Sequence, residues 1–273
     1  MSFQPVLPLE GFVGWRFLQR TMPAQTQAHA NTPAAQRDEA YVRENIGAIA
    51  SAQDLVADRR LLRVALTAFG LADDLPNRAY VEKVLESSTT TEGSFVSRLT
   101  DKRYMNLAKA FGFGDGPVPR SQAPGFADTL LAKFQSRSFE EAVGQQDDSM
   151  RMALAVERDL SDLAAQGSSE ATKWYTVLGT PSLRAVFETA FLLPSSFGTL
   201  DIDQQVQILK GRTERLVGSE TISQFADKTR IETLTRQFFL AGQVQQIQSQ
   251  SGMSSALVLL QSGQAALNGL LGR

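Results

Sequence analysis

Apolar residues recur along most of the chain at intervals of three and four positions. This interval places side chains on one face of an α-helix, whereas a half-buried β-strand alternates apolar and polar residues. Convincing alternation bounded by hairpin turns is absent from the sequence. We therefore predict an all-α fold, either a multi-helix bundle or an irregular helical array, in which any β-sheet is minor.

The strongest local pattern predicts one long helix from about Ser51 to Phe69. Ser51 and Asp54 stand three residues apart and form an acidic variant of the capping box at its start. Gly70 follows the last apolar residue, and glycine readily adopts the left-handed conformation that ends many helices. The apolar positions along this segment are Leu55, Leu62, Leu66 and Phe69.

Other helices are predicted by the same pattern. Thr32 followed by Pro33 indicates a helix start, because a threonine side chain caps backbone amides and proline suits the first helical position. Gly144 is a candidate break, and Gly263 interrupts a last amphipathic helix near the C-terminus. The remaining expected helices cover about 77–86, 101–111, 126–135, 139–165, 169–178, 181–193, 203–217 and 221–250.

The chain divides by pattern into an arm and a main domain. Residues 1–32 form the expected N-terminal arm, with a short helix and a loose, proline-bearing connector. Residues 33–273 form the expected all-α domain. The irregular stretch GFGDGPVPRSQAPG, residues 112–125, is the expected boundary between two lobes of that domain.

Two apolar surfaces are candidates for contact with a partner. One is the aromatic patch of the N-terminal arm, and the other is the apolar seam of the predicted helix 221–250. The alternative for the arm is docking onto the main body, and the alternative for the seam is the chain's own core. The candidate residues are Trp15, Phe17, Ile231, Leu234, Phe238, Val244 and Ile247.

A helix-then-glycine unit recurs in the sequence. The segments DRRLLRVALTAFGL, from Asp58, and DKRYMNLAKAFGF, from Asp101, both end on Ala-Phe-Gly and an apolar residue. A third stretch, PSLRAVFETAFLLP from Pro181, has Leu192 where the first has Gly70. In such a unit the phenylalanine covers the core while the glycine lets the backbone turn away. Internal duplication and independent use of a common helix end both explain the pattern.

Composition narrows the classes of function. The formal net charge is -2 and the basic residues form no run, so nucleic-acid binding is not expected. The chain has no cysteine, which removes disulfides, thiolate metal sites and cysteine nucleophiles. No apolar run reaches the roughly 20 residues that span a bilayer, and the N-terminus lacks a secretory signal pattern. We therefore expect no membrane insertion.

The sequence offers no catalytic, cofactor-binding or metal-binding constellation. The single histidine, His29, lies in the polar connector and is expected to be a solvated loop residue. The glycines of GFGDGP fit neither phosphate-binding fingerprint. The acidic pairs at 73–74, 147–148 and 201 with 203 do not fit a calcium loop, and Asp74 and Asp203 are expected to cap helices. Paired carboxylates stay open, because their separation is a property of the fold.

Three stretches together resemble a known family. They are DLVADRRLLRVALTAFGL within residues 41–85, then LTDKRYMNLAKAFGF, and later WYTVLGTPSLRAVFETAFLLPSSFGTLDIDQQ. They are similar to DUF1217, an alphaproteobacterial family of unknown function that is associated with flagellar gene neighbourhoods. The resemblance covers most of the chain after about residue 10 and attaches no catalytic residues. It implies a helical accessory or structural component of flagellar assembly or motility.

These observations favour a non-enzymatic protein that acts through helix-mediated contacts with a protein partner, expected to be a flagellar component. Two alternatives stay open: an enzyme with an unrecognised carboxylate-based site, and a cytoplasmic adaptor or chaperone unrelated to motility. Self-association is a further option that the sequence does not decide. The expected location is the cytoplasm or the flagellum, without a cleaved signal peptide.

Overall fold

The computed structural model describes residues 3–248. Within that range the chain forms twelve α-helices and no β-strand, which confirms the all-α prediction. None of the helices in that range is both long and apolar enough to cross a membrane. The last predicted helix, around Gly263, lies outside the described residues. The helices are α1 Gly11–Ala30, α2 Pro33–Asn45, α3 Ala52–Ala57, α4 Arg59–Ala68, α5 Arg78–Leu85, α6 Lys102–Phe111, α7 Phe126–Gly144, α8 Asp148–Ala165, α9 Glu170–Gly179, α10 Pro181–Ala190, α11 Ile202–Val217 and α12, residues 228–248.

Two large apolar cores meet along α7. The first lobe packs α2 to α6 and the first half of α7 around one core, and the second lobe packs α1, the second half of α7 and α8 to α12 around the other. Within α7, Leu130 and Phe134 join the first core, whereas Phe139 and Val143 join the second. The cores therefore divide inside α7 and not at the irregular loop 112–125, and α1 is part of the second lobe.

Short-range capping signals are read correctly from the sequence. The Thr32 hydroxyl accepts a hydrogen bond from the Ala35 amide at 3.3 Å at the start of α2. Ser51 and Asp54 form the predicted capping box, in which each side chain accepts the other residue's amide at 3.1 and 3.0 Å. These interactions join residues that are three apart, so the sequence alone specifies them.

The single long helix predicted over Ser51–Phe69 is wrong, because Asp58 divides it into α3 and α4. Asp58 has an extended ψ of 96°, and its Oδ1 accepts hydrogen bonds from the amides of Arg60 and Leu61, both at 2.9 Å. Its Oδ2 accepts the Tyr41 hydroxyl at 2.8 Å. The apolar period continues across the break because both helices cover the same core, and so the period does not reveal the break.

The boundary between α7 and α8 also differs from the prediction. Helices were expected over 126–135 and 139–165, whereas α7 is continuous through 136–138 and ends at Gly144. Asp147 then caps α8 by accepting the Met150 amide at 3.1 Å. A Cβ at position 144 would collide with the Arg151 side chain, so glycine permits the tight return of the chain.

The N-terminal arm is far more helical than its sequence suggests. Helix α1 covers Gly11–Ala30 and includes Pro23, so the expected loose connector is wrong. The segment before α1 is held by Gln25, which accepts the Val6 amide at 2.7 Å and donates to the Val6 carbonyl at 3.2 Å. Trp15 is buried in the second core. The arm is thus docked onto the second lobe through both polar and apolar contacts.

His29 lies in the last turn of α1 and is not the solvated loop residue that the sequence predicts. Its ring centroid is 5.1 Å from that of Phe3 and 6.1 Å from that of Phe139, and its Nε2 lies 3.0 Å from the Ser138 hydroxyl. Its Nδ1 is buried with no hydrogen-bond partner in the described part of the chain. Desolvation by burial lowers the pKa of His29.

The repeated unit ends in the same left-handed backbone conformation all three times. The φ angle is 71° at Gly70, 68° at Gly112 and 50° at Leu192. After Gly70 and Leu192, the next amide returns to a carbonyl five residues earlier, at 2.8 and 2.9 Å, which completes a Schellman motif. Among residues 3–248, Leu192 alone takes a positive φ without being glycine. The third unit therefore has the same left-handed backbone geometry, although a positive φ angle costs more free energy at leucine than at glycine.

We expect Leu192→Gly to raise the free energy of unfolding by about 1 kcal/mol, because glycine reaches this φ without steric strain. Leu192 is 48% exposed, so its removal gives up only about half of the apolar burial of a core leucine. Urea denaturation of the two proteins measures the difference. The matched variant is Gly70→Ala, whose new Cβ would lie no closer than 3.5 Å to Arg137 and which should lose about 1 kcal/mol. A destabilised Leu192→Gly protein would contradict this account.

We expect the imidazole of His29, the single histidine in the chain, to titrate below its ordinary pKa of about 6.5. Protonation then favours the unfolded chain, so the stability that neutral His29 contributes is complete above about pH 6.5 and is lost as the pH falls toward the folded-state pKa. Proton NMR of the imidazole gives the midpoint, and denaturation at several pH values gives the stability. His29→Gln should remove this component of the acid sensitivity, and a midpoint above 6.5 would refute the prediction.

Candidate functional site

The apolar seam of α12 is buried at its start and exposed at its end. Ile231, Leu234 and Phe238 belong to the second core. Further along the same helix, Val244 is 42% exposed and Ile247 is 66% exposed. The seam therefore extends beyond the core that it covers.

Leu240, Val244 and Ile247 form an exposed row on α12, here called the apolar stripe. Their spacings of four and three place them on one helix face, and Leu240 is 44% exposed. Sequence reasoning missed Leu240, although the same spacing could have found it. Such a row on a helix surface is suited to contact with an apolar face of another protein.

Helix α1 packs beside α12 and covers its buried part. The Trp15 ring centroid lies 6.1 Å from that of Phe239, and an ion pair of 2.5 Å joins Arg16 to Glu232. Phe17, on the same helix, is half-buried. The aromatic patch of the arm is thus largely used inside the chain.

Accessibility sorts the predicted partner-binding residues into three groups. Four are core residues, so their predicted role as partner contacts is corrected to packing within the chain: Trp15, Ile231, Leu234 and Phe238. Phe17 is half-buried. Val244 and Ile247 are exposed, and for these two the prediction of partner contact stays open.

A group of charged side chains lies between α7 and α8. Its members, here called the charged cluster, are Arg137, Glu140, Arg158 and Asp159. Arg158 pairs with Glu140, and its Nε lies 2.8 Å from Asp159 Oδ1. Arg137 lies 3.4 Å from Asp159 and 3.6 Å from Glu140. Glu140 is only 7% exposed, so water screens these charges weakly.

The charged cluster shifts the pKa values of its members in different directions. Burial lowers the pKa of Arg137, and the neighbouring Arg158 cation acts in the same sense. Burial also disfavours the charged form of Arg158, but its pairing with Asp159 and Glu140 more than offsets this and raises its pKa. Both arginines stay cationic at neutral pH, because an arginine starts from a pKa above about 12. Beside the cluster, burial and nearby carboxylates raise the pKa of Glu141.

The acidic residues considered as metal ligands or caps have other partners. Asp74 accepts the Tyr104 hydroxyl at 2.7 Å and Asp203 accepts the Tyr175 hydroxyl at 2.5 Å, so the capping prediction is wrong for both. Asp201 caps α11 instead, by accepting the Asp203 amide at 2.9 Å. Within residues 3–248, no three histidine, aspartate or glutamate side chains come close enough together to hold a metal ion.

We expect Glu140→Gln to lower the free energy of unfolding by about 2 kcal/mol, because Arg158 loses its shielded anionic partner. Urea denaturation measures the loss. The control is Glu39→Gln, which removes the exposed ion pair between Glu39 and Arg43 and should leave the unfolding midpoint almost unchanged. Equal effects of the two substitutions would show that the charged cluster adds no more than a surface pair.

Comparisons with known proteins place these features in a family. A crystal structure of a structural-genomics target protein from Agrobacterium tumefaciens is similar over 89% of this chain and 97% of that chain, with a TM-score of 0.72 and 25% sequence identity. No curated protein matches the chain. Residues 68–231, more than half of the 273 residues, match the family model described as a protein of unknown function, DUF1217. The chain therefore belongs to the DUF1217 family.

Proposed function

We propose that this protein is a non-enzymatic structural or assembly-accessory component associated with the flagellum, and that it acts through contacts made by its helices. The observation that carries the proposal is the apolar stripe, which continues the seam of α12 beyond the second core. The flagellar part of the proposal is supported by the association of the resembled family with flagellar gene neighbourhoods.

The apolar stripe has the chemistry of a helix-mediated contact. Complete burial of one aliphatic side chain contributes about 1.5–3 kcal/mol, so covering three half-exposed side chains contributes about 2–4 kcal/mol, which is part of what a stable contact requires. A groove of about 550 Å³ lies at this end of α12, where Gln243 and the acidic residues Asp147 and Asp148 line it. The groove and the apolar stripe lie on different faces of α12, since the three residues of the stripe do not line the groove.

The pairing of Glu140 supports a non-enzymatic role. Glu140, the most buried carboxylate of the charged cluster, is held between Arg158 and Arg137. Each of its carboxylate oxygens lies within ion-pairing distance of an arginine, which is the geometry of a structural ion-pair network. The cluster therefore holds α7 against α8.

We expect the double substitution of Val244→Gln with Ile247→Gln to weaken binding to the flagellar partner by at least about tenfold, because two apolar contacts are lost. Both side chains are exposed, so the free energy of unfolding should change little. The matched control is Val118→Gln, which replaces an apolar side chain that is 73% exposed in the loop before α7. Capture of flagellar components by the purified protein, and swimming and filament assembly in cells that carry each variant, are the measurements.

The proposal fails if the wild-type protein captures no flagellar component and its deletion leaves swimming and filament assembly intact. Capture of a partner unrelated to motility, lost in the same double variant, would instead identify an adaptor or chaperone. A chemical turnover that persists in the double variant but is lost in Glu140→Gln or Glu141→Gln would identify an enzyme with a carboxylate-based site.

A further inference from the structure

A cleft of about 630 Å³ opens between the two lobes, on the side of the molecule where α6, α7 and α8 each contribute one face. The positions of α6 that line it follow helical spacing, from Lys102 through Asn106 to Lys109. Because α6 belongs to the first lobe and α8 to the second, anything bound in the cleft contacts both lobes. Its volume lies within the range of about 300–1,000 Å³ that is usual for small-ligand sites.

The lining of this cleft is strongly cationic, although the chain as a whole carries a formal charge of -2. Two carboxylates line it, Asp159 and Asp162. The cationic side chains are Lys102, Arg103, Lys109, Lys133, Arg137 and Arg158. Cations so concentrated in a concave site raise the local concentration of anions.

Part of this positive charge is already neutralised. Arg103 pairs with Asp101 at 2.6 Å, and Arg137 and Arg158 share Glu140 and Asp159. The three lysines differ from the arginines in lacking an anionic partner. No described carboxylate lies within ion-pairing distance of Lys102, Lys109 or Lys133. All three residues are exposed and line the edge of the cleft.

The inner part of the cleft retains hydrogen-bonding capacity. The Arg158 Nη2 atom is buried and has no hydrogen-bond partner within residues 3–248. A buried guanidinium nitrogen without a partner is costly, and an oxyanion is the acceptor that a guanidinium binds best. Within residues 3–248, the ion pairs of Arg137 are 3.4 and 3.6 Å long, longer than close charge-assisted hydrogen bonds.

Apolar side chains complete the lining and indicate what the anion is attached to. Phe69, Leu163 and Leu183 line the same cleft as the arginines. An inorganic ion binds such a cleft through its charge alone, whereas an organic molecule also buries its carbon skeleton against these side chains. A mixed lining of this kind therefore favours a ligand with both an apolar body and a charged group.

We propose that the cleft binds a small organic anion that carries a phosphate group or several carboxylates. Its oxyanion contacts Arg137 and Arg158, the lysines at the edge neutralise its remaining charge, and its apolar body lies against Phe69 and Leu163. A ligand held in this way contacts both lobes and stabilises the folded arrangement by linkage. The site is separate from the apolar stripe, so it goes beyond the contact function proposed above.

Isothermal titration calorimetry with two probes tests the proposal: inorganic pyrophosphate for the phosphate group, and citrate for the carboxylates. Sodium chloride at matched ionic strength is the reference. We expect saturable binding of at least one probe with a stoichiometry of one, weakened by added salt. Binding of pyrophosphate alone assigns a phosphate ligand, binding of citrate alone assigns a carboxylate ligand, and binding of both supports the shared oxyanion chemistry.

Two double variants locate the binding. Lys109→Gln with Lys133→Gln removes two cations at the edge of the cleft and should weaken probe binding by about tenfold. Arg78→Gln with Lys228→Gln makes the same change in net charge at exposed residues that do not line the cleft, and should leave binding unchanged. All four residues are exposed, so both variants are expected to fold, which circular dichroism verifies.

The proposal is overturned if neither probe binds beyond the sodium chloride reference, or if the two double variants lose affinity equally. Binding of an acidic peptide such as poly-glutamate, with no binding of either small probe, would also overturn it, because the site would then recognise a macromolecule. Val244→Gln with Ile247→Gln should bind the probes as the wild type does, so failure of this site and failure of the apolar stripe are distinguishable.

Discussion

Helix α7 is shared by both apolar cores, and this constrains the rest of the molecule. Its first half contributes Leu130 and Phe134 to one core, and its second half contributes Phe139 and Val143 to the other. Because a helix is stiff over such a length, the lobes cannot adopt independent orientations. Two members of the charged cluster lie on α7 and two lie on α8. Their ion pairs, which are shielded from water, hold the two helices together. The cleft between the lobes is a consequence of this geometry, since α7 holds α6 and α8 at fixed positions on either side of it.

The repeated unit shows how one backbone device serves helices of different sequence. Gly70, Gly112 and Leu192 all occupy the left-handed position that turns the chain away from the core. Glycine takes this conformation at little cost, whereas leucine takes it only because the surrounding contacts impose it. The family resemblance rests on the same segments, so the residues that identify the family are residues that end helices. One of these segments also contributes Lys102, Arg103 and Lys109 to the cleft between the lobes.

The two candidate surfaces, the apolar stripe and the cationic cleft, differ in the type of interaction that each supports. The apolar stripe lies on one lobe and would gain energy mainly from the burial of aliphatic groups, a contribution that salt hardly weakens. The cationic cleft joins both lobes and would gain energy mainly from charge, which salt screens. A protein that contacts a partner through the first surface and a small anion through the second could couple the two by linkage through the shared helix α7. The coupling would depend on α7 because, among the described helices, it contributes to both cores.

What the sequence by itself determined is local and periodic. It specified an all-α chain, the caps at Thr32 and Ser51, and the glycine ends at Gly70 and Gly112, because these depend on residues within one or two helical turns. It did not reveal the break at Asp58, because the apolar period continues across the break, although the cap that Asp58 forms with the amides of Arg60 and Leu61 is itself local.

Tertiary structure alone decided which apolar residues are available to a partner and which charges converge. Trp15 and Val244 both belong to apolar positions of helices, yet Trp15 lies in a core whereas Val244 is exposed to solvent. Their fates differ because α1 covers only the start of α12. Likewise, no sequence pattern groups the cations Lys109, Lys133 and Arg158. They line one cleft because three helices from two lobes enclose it. Periodicity describes a face of a helix, and only packing determines what that face meets.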